Sequence, residues 1–361
     1  MAILTPRELE LLARRLEPAI RRAFEQAVNG VRSQVQMNLL ADLLRAGDVD
    51  AVLTALGFDA ERFSPMTEAV RDAFLAGSDA GMKELPTLSM RQQVRGSYNP
   101  ANPTPVLRFG FDLRNQGVEN WLSSNSSRLI RGVVEDQRQL VRELLTRGMV
   151  AGRNPRQTAL ELVGRIGETG RRTGGVVGLT AQQAQYVANV RAQLASGDPA
   201  QMVGYFDRKR RDRRLDGIVK RAIAAGKPVS QADIDKIAGR YSDRLLALRG
   251  ENIARTESLT AMNAGREESY RQQIEAGRLA PENVTCGWSA TADRRTRHSH
   301  HLMNGQKQQF GVPFQTPSGA LLRFPGDTSL GAPAEETIGC RCTKTYKVDM
   351  AAEVWRGQQV R

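Results

Sequence analysis

The sequence predicts a mainly α, multidomain protein: helical N-terminal and central regions, followed by a small α+β module near the C-terminus. Three observations carry that prediction. Before Gly277, apolar residues recur mostly at three- and four-residue spacing, the period of amphipathic helices. Aromatic residues make up only 5% of the chain, which favours Leu/Ala/Val helix packing over an aromatic-rich sandwich. After Gly277 short apolar runs alternate with proline and glycine, the pattern of short strands and turns. At 361 residues, the chain exceeds one ordinary core and is expected to divide.

The N-terminal region, residues 1–95, opens with Thr5, Pro6, Arg7 and Glu8. These form a capping box with proline at the first helical position. Leu9, Leu12, Ala13, Leu16, Ile20, Phe24, Val28 and Val31 then make one apolar stripe. Pro18 lies within it and predicts a kink or a break. Shorter helices are expected from Met37 to Ala46, stopped by Gly47, and from Asp50 to Leu56, stopped by Gly57. Another is expected from Thr67 to about Gly77. Residues 96–105 hold Pro100, Pro103 and Pro105 beside Gly96 and two asparagines, so they read as a linker.

The central domain, residues 106–277, is expected to hold helices from Val118 to Arg147 and from Arg156 to Ile166. A third starts at Thr180, capped with Gln183 at N3. The glycine- and arginine-rich stretch between Gly167 and Gly178 reads as a mobile loop. Ser230 and Asp233 open a long helical stretch through Ile237, Tyr241 and Leu245 toward Gly277. Strands of the α+β module, residues 278–350, are expected at 284–288, 309–314, 321–324 and 343–348. Residues 351–361 form a tail. No internal repeat of fixed period is visible.

Net charge is +13, from 52 basic and 39 acidic residues. Such a surface attracts polyanions: nucleic acid, an acidic protein or an anionic membrane face. A compositional bias toward arginine over lysine is the competing explanation. The densest basic run is Arg208, Lys209, Arg210, Arg211, Arg213 and Arg214, which offers phosphate contacts without sequence reading. Asp207, Asp212 and Asp216 dilute it, and a solvated helix face with local ion pairs is the plainer reading. The N-terminus has no apolar signal region and no stretch is long enough for a membrane span, so a cytoplasmic site of synthesis is expected.

All three histidines, His298, His300 and His301, fall in one run, and the three cysteines, Cys286, Cys340 and Cys342, lie close to it in sequence. His298 and His300 are expected on one face of a strand. His300 with Cys340 and Cys342 offers the N and S ligands that zinc prefers, although Cys-x-Cys spacing is not that of a familiar finger. The alternatives are small buried apolar cysteines, or a disulfide from Cys286 to one of the pair in an oxidising setting. Arg297, His300, Asp327, Glu335 and Glu336 would supply a base and an anion clamp to an enzyme. No nucleophile elbow, phosphate loop or paired-carboxylate pattern accompanies them, so no catalysis and no obligatory cofactor are expected. Arg297, His300 and Glu335 are the set that a catalytic alternative would use.

The C-terminal pattern resembles the phage Mu protein F-like minor head, or head morphogenesis, family. The residues that carry the resemblance begin with Ile253, Thr256, Glu257, Asn263 and Gly265. Trp288, Asp293, Arg297, His300, Asn304 and Gly305 follow, then Phe324, Gly326, Asp327, Ile338, Cys340 and Cys342. His298 and His301 fall outside the pattern, and Gly339 stands where the family often has asparagine. The resemblance implies a low-copy capsid protein of a tailed phage, located in the head interior and in the host cytoplasm during assembly. It implies the portal protein, the major capsid protein or a scaffold as partners, and contact with double-stranded DNA. The alternatives are a virion-carried enzyme or toxin-like module, or a zinc-stabilised binding module.

Overall fold

A computed structural model describes residues 4–59, 61–85, 109–167 and 170–359. The 96–105 linker lies outside the described residues. Helices dominate, and the sheets are small and mostly C-terminal, as the sequence predicts. In chain order the first half holds α1 (Pro6–Gln34), α2 (Met37–Ala46), α3 (Val49–Leu56), α4 (Ser64–Glu84), α5 (Gln116–Val150) and α6 (Pro155–Val163). A two-residue hairpin, β1 (Arg165–Ile166) and β2 (Arg172–Thr173), leads to α7 (Ala181–Ala195), α8 (Pro199–Val203), α9 (Asp216–Ala224) and the 45-residue α10 (Gln231–Glu275). The C-terminal part holds β3 (Val284–Ser289), α11 (His298–Met303), β4 (Lys307–Gln309), β5 (Phe314–Gln315) and β6 (Leu321–Leu322). It ends with α12 (Ala334–Thr337), β7 (Thr343–Val348) and α13 (Met350–Gln359). No helix among the described residues is long and apolar enough to cross a membrane.

Local chemistry sets the helix ends. Thr5 Oγ1 accepts from the Glu8 amide at 3.3 Å while Glu8 returns a bond to the Thr5 amide at 2.8 Å. Gly47 and Gly57 close α2 and α3 with left-handed φ of 73° and 65°. Thr180 and Gln183 form a complete capping box on α7. Pro18 sits inside α1, which continues across it as one helix.

The chain packs as two compact units, each assembled from separate stretches of sequence. One comprises residues 21–67 and 124–251. Its interior includes Phe24, Val28, Leu40, Val52, Leu140, Leu162 and Val187. The later part of the glycine-rich stretch belongs here and is not the mobile loop expected from composition, because Gly174 to Leu179 are buried. Side chains satisfy its backbone. Arg32 donates to the carbonyls of Gly175 and Val177, Ser242 to that of Gly175, and Arg249 to that of Gly178. Gln137 takes the Gly178 amide and gives to the Leu179 carbonyl, both at 2.8 Å. A buried loop needs such partners, since each orphaned backbone group costs about 1–3 kcal/mol.

The other unit comprises residues 1–20, 68–123 and 252–361. Its three-stranded sheet has order β4-β3-β7, all antiparallel, with Cys286 opposite both Gln308 and Tyr346. The apolar core gathers Tyr270, Val284, Cys286, Trp288, Met303, Phe314, Leu322, Cys340 and Cys342. Residues 74–81 of α4 lie directly on α10. A Cβ on Gly77 would fall 2.1 Å from the Met262 carbonyl oxygen, and one on Gly265 would fall 2.0 Å from that of Phe74. Only glycine permits backbones to approach this closely. Beside this contact, Arg266 makes a two-bond ion pair with buried Glu84 at 2.8 and 2.9 Å. Glu267 accepts from Lys344 Nζ at 2.6 Å and from the Tyr346 hydroxyl at 2.7 Å.

Candidate functional site

The C-terminal pattern folds into one connected framework on α10. Thr256 Oγ1 accepts the Gly339 amide at 2.9 Å. Seven residues on, and so on nearly the same helix face, Asn263 Nδ2 donates to the Pro325 carbonyl at 3.1 Å and to that of Cys342 at 3.4 Å. Glu257 is buried on the same helix. Gly326 has φ +89°, and a Cβ there would sit 2.3 Å from Thr260 Oγ1, so glycine is needed on both counts. Asp327 follows it and closes its turn by accepting the amides of Arg323 and Ser329 at 2.9 and 2.8 Å. The role is structural: both carboxylate oxygens are spent on backbone.

A second set of bonds ties the loop before α11 to the Cys340–Cys342 loop. Asp293 takes two bonds from Arg341, at 2.6 and 2.5 Å, and the Arg341 guanidinium holds its carboxyl well below the usual carboxylate range. Thr291 Oγ1 donates to the Arg341 carbonyl at 2.9 Å, and Arg297 donates to that of Ile338. Gly305, at φ +82°, turns the chain from α11 into β4 alongside β3, and its amide donates to the Trp288 carbonyl at 2.9 Å. Gly339, at φ +66° with open space around it, sits where glycine or asparagine is comfortable.

His300, Cys340 and Cys342 meet inside this framework, all buried. The segment from His298 is helical, not the expected strand, so His300 and Met303 face inward while His298 and His301 are exposed. Imidazole Nδ1 lies 3.5 Å from Cys340 Sγ and 3.4 Å from Cys342 Sγ. The Cys342 amide donates to Cys340 Sγ at 3.4 Å. On the other side of the ring, Nε2 lies 3.1 Å from Glu336 Oε2, within pairing distance though off the direction of a good hydrogen bond. Glu336 is fixed in turn by the hydroxyls of Ser299 at 2.9 Å and Ser318 at 3.0 Å. Trp288 covers the ring edge-on at 5.3 Å. The hydrogen bond with Cys342, and then burial, raise the Cys340 thiol, while hydrogen bonding with Cys340 and His300 lowers that of Cys342.

The catalytic set is not brought together. Glu335 is exposed, and the carboxylate at His300 is its neighbour Glu336. The Arg297 guanidinium is committed to a backbone carbonyl. A surface cleft lined by Pro6, Arg7, Glu10, Thr291 and Arg341 lies nearby, but neither His300 nor Glu336 lines it.

The basic run divides. Arg208 is spent on Gln193 and the Tyr241 ring, Arg211 on Asp216 and the Phe206 ring, and Arg214 on Asp212. Lys209, Arg210 and Arg213 are exposed, and so is Arg214 despite its pair with Asp212.

Sequence reasoning missed the Glu84–Arg266 pair. The available signal was Arg266 at helical spacing between Met262 and Tyr270, a charge in the middle of a buried stripe.

Residues 214–345 match the family described as Phage Mu protein F like protein. Over 133 residues, 36% of this chain, the sequence is 29% identical to the minor head protein GP7 of Bacillus phage SPP1. The match spans 39% of that relative's length. No solved structure matches the chain.

Proposed function

We propose, on the premise that residues 214–345 are a phage Mu protein F-like region, that the chain is a minor head protein acting in head assembly of a tailed phage. The observation that carries this reading is the family match together with what its residues do. Thr256, Asn263, Asp293, Arg297, Gly305, Gly326, Asp327 and the Cys-x-Cys loop build one interlocked framework and not an open catalytic cleft. Function by assembly, without catalysis, suits that arrangement. Within this reading the chain works in the head interior near the portal vertex, after synthesis in the host cytoplasm. Its partners are the portal, the major capsid protein or a scaffold.

Contact with double-stranded DNA is the finer part of the proposal. It rests on the +13 net charge and on exposed Lys209, Arg210 and Arg213. The experiment is deletion of the gene from its phage and complementation in trans. Wild-type chain is expected to restore infectious particles, while Asn263→Leu, which removes the bonds to both loops, is not. Normal heads and full titre without the gene would refute the proposal.

A further inference from the structure

We infer that His300 Nδ1, Cys340 Sγ and Cys342 Sγ form a binding site for a thiophilic divalent cation, with zinc as the expected ion and Glu336 as the residue that orients the imidazole. The distances fit. A tetrahedral zinc with Zn–S of about 2.3 Å and Zn–N of about 2.0 Å has S···N edges of about 3.5 Å. The two observed S···N separations are 3.5 and 3.4 Å, and all three ligand atoms lie within 4.8 Å of one another.

Hydrogen bonding alone accounts for less of the geometry. A neutral imidazole has one lone pair, on one nitrogen, so Nδ1 can accept one S–H and not two. Two sulfurs nevertheless converge on it. The carboxylate at Nε2 favours the proton on that nitrogen and leaves the lone pair on Nδ1, toward the sulfurs. A carboxylate beside the second ring nitrogen is the usual support for a metal-ligating imidazole, and Glu336 Oε2 stands 3.1 Å from Nε2, a small rotation away from accepting its N–H. Ser299 and Ser318 in turn hold Glu336 in place. Two thiolates offset one divalent cation, so the ion and its three ligands carry no net charge, and the Glu336 carboxylate, held by two serine hydroxyls, is the one negative charge beside them. Binding releases the two thiol protons to solvent.

Cys340 also borders a narrow cleft lined by Glu10, Glu17 and Arg255, which gives an ion or a fourth, water ligand a route in. The ion would clamp α11 to the loop between α12 and β7. Its role is to stabilise the framework, so this inference stands apart from the head-assembly reading.

The test uses the full-length chain, purified anaerobically without chelator or affinity metal. Elemental analysis is expected to find stoichiometric zinc. Exchange to cobalt should give thiolate charge-transfer absorption and the intense visible bands of a tetrahedral site. Cys340→Ser with Cys342→Ser should abolish both signals, and Glu336→Gln should weaken zinc affinity about 10- to 100-fold. Cys286→Ala should leave both unchanged. If the double variant fails to fold, the wild-type chain decides: a strong chelator should lower its Tm, and added zinc should restore it. Metal-free protein with three free thiols and a chelator-insensitive Tm would overturn the inference. So would zinc retained by the double variant, or a mass two hydrogens light that maps to a Cys340–Cys342 disulfide.

Discussion

At Gly265 the α10 backbone passes so close to Phe74 that a methyl group has no room. Gly265→Ala should therefore lower stability by about 1–3 kcal/mol or more, because the neighbour is backbone and cannot rotate away. Gly339 is the contrast. Its φ is left-handed but open space surrounds it, so Gly339→Asn should stay within about 0.5 kcal/mol of the parent. Urea midpoints of the two variants check both expectations. Asp293 gives a prediction in pH. Its carboxyl is depressed by Arg341, so its contribution to stability is present above the ordinary aspartate range. It is lost as pH falls through the depressed value. Asp293→Asn should flatten this part of the acid limb of Tm against pH, and an unchanged limb would count against the ion pair.

Among the elements, the buried stretch from Gly174 to Leu179 depends on side chains distant in sequence. Gln137→Leu leaves the Gly178 amide and the Leu179 carbonyl without their partner. Each lost partner should cost about 1–3 kcal/mol, and hydrogen exchange at the Gly178 amide should accelerate markedly. Slow exchange in the variant would show that the segment is held otherwise. This stretch also marks the limit of what the sequence makes legible. Helix ends at Thr5, Gly47, Gly57 and Thr180 were readable because a cap acts within four residues. So were the strands at 284–288 and 343–348, from their turns and apolar runs. The glycine-rich segment looked like a free loop because Arg32, Gln137, Ser242 and Arg249, which bury it, are far away in the chain. For the same reason the sequence set Glu335 with His300 in the catalytic alternative, whereas the fold puts Glu336 there. Composition gathered His300, Cys340 and Cys342 into one neighbourhood, but it put His300 on a strand. Helical spacing is what separates it from His298 and His301.

For the whole molecule, an excess of thirteen positive charges is a statement about encounter, not about fold. If the chain meets packaged DNA through the basic run, the exposed members carry the contact. Replacing Lys209, Arg210 and Arg213 by Gln should reduce the slope of log affinity against log salt by about 2.7, at about 0.9 per lost phosphate contact. Replacing Arg208 and Arg211 should disturb stability more than salt dependence, because those half-buried guanidiniums are already spent on Gln193 and Asp216. An affinity for DNA that does not change with salt would exclude phosphate contact through the basic run.

A minor head protein ends up in the particle. The most direct measurement is quantitative mass spectrometry of heads purified from the encoding phage, banded by density and washed with salt. The chain is expected in those heads, at a small fraction of the copy number of the major capsid protein. Its absence from both procapsids and mature heads would rule out a minor head protein.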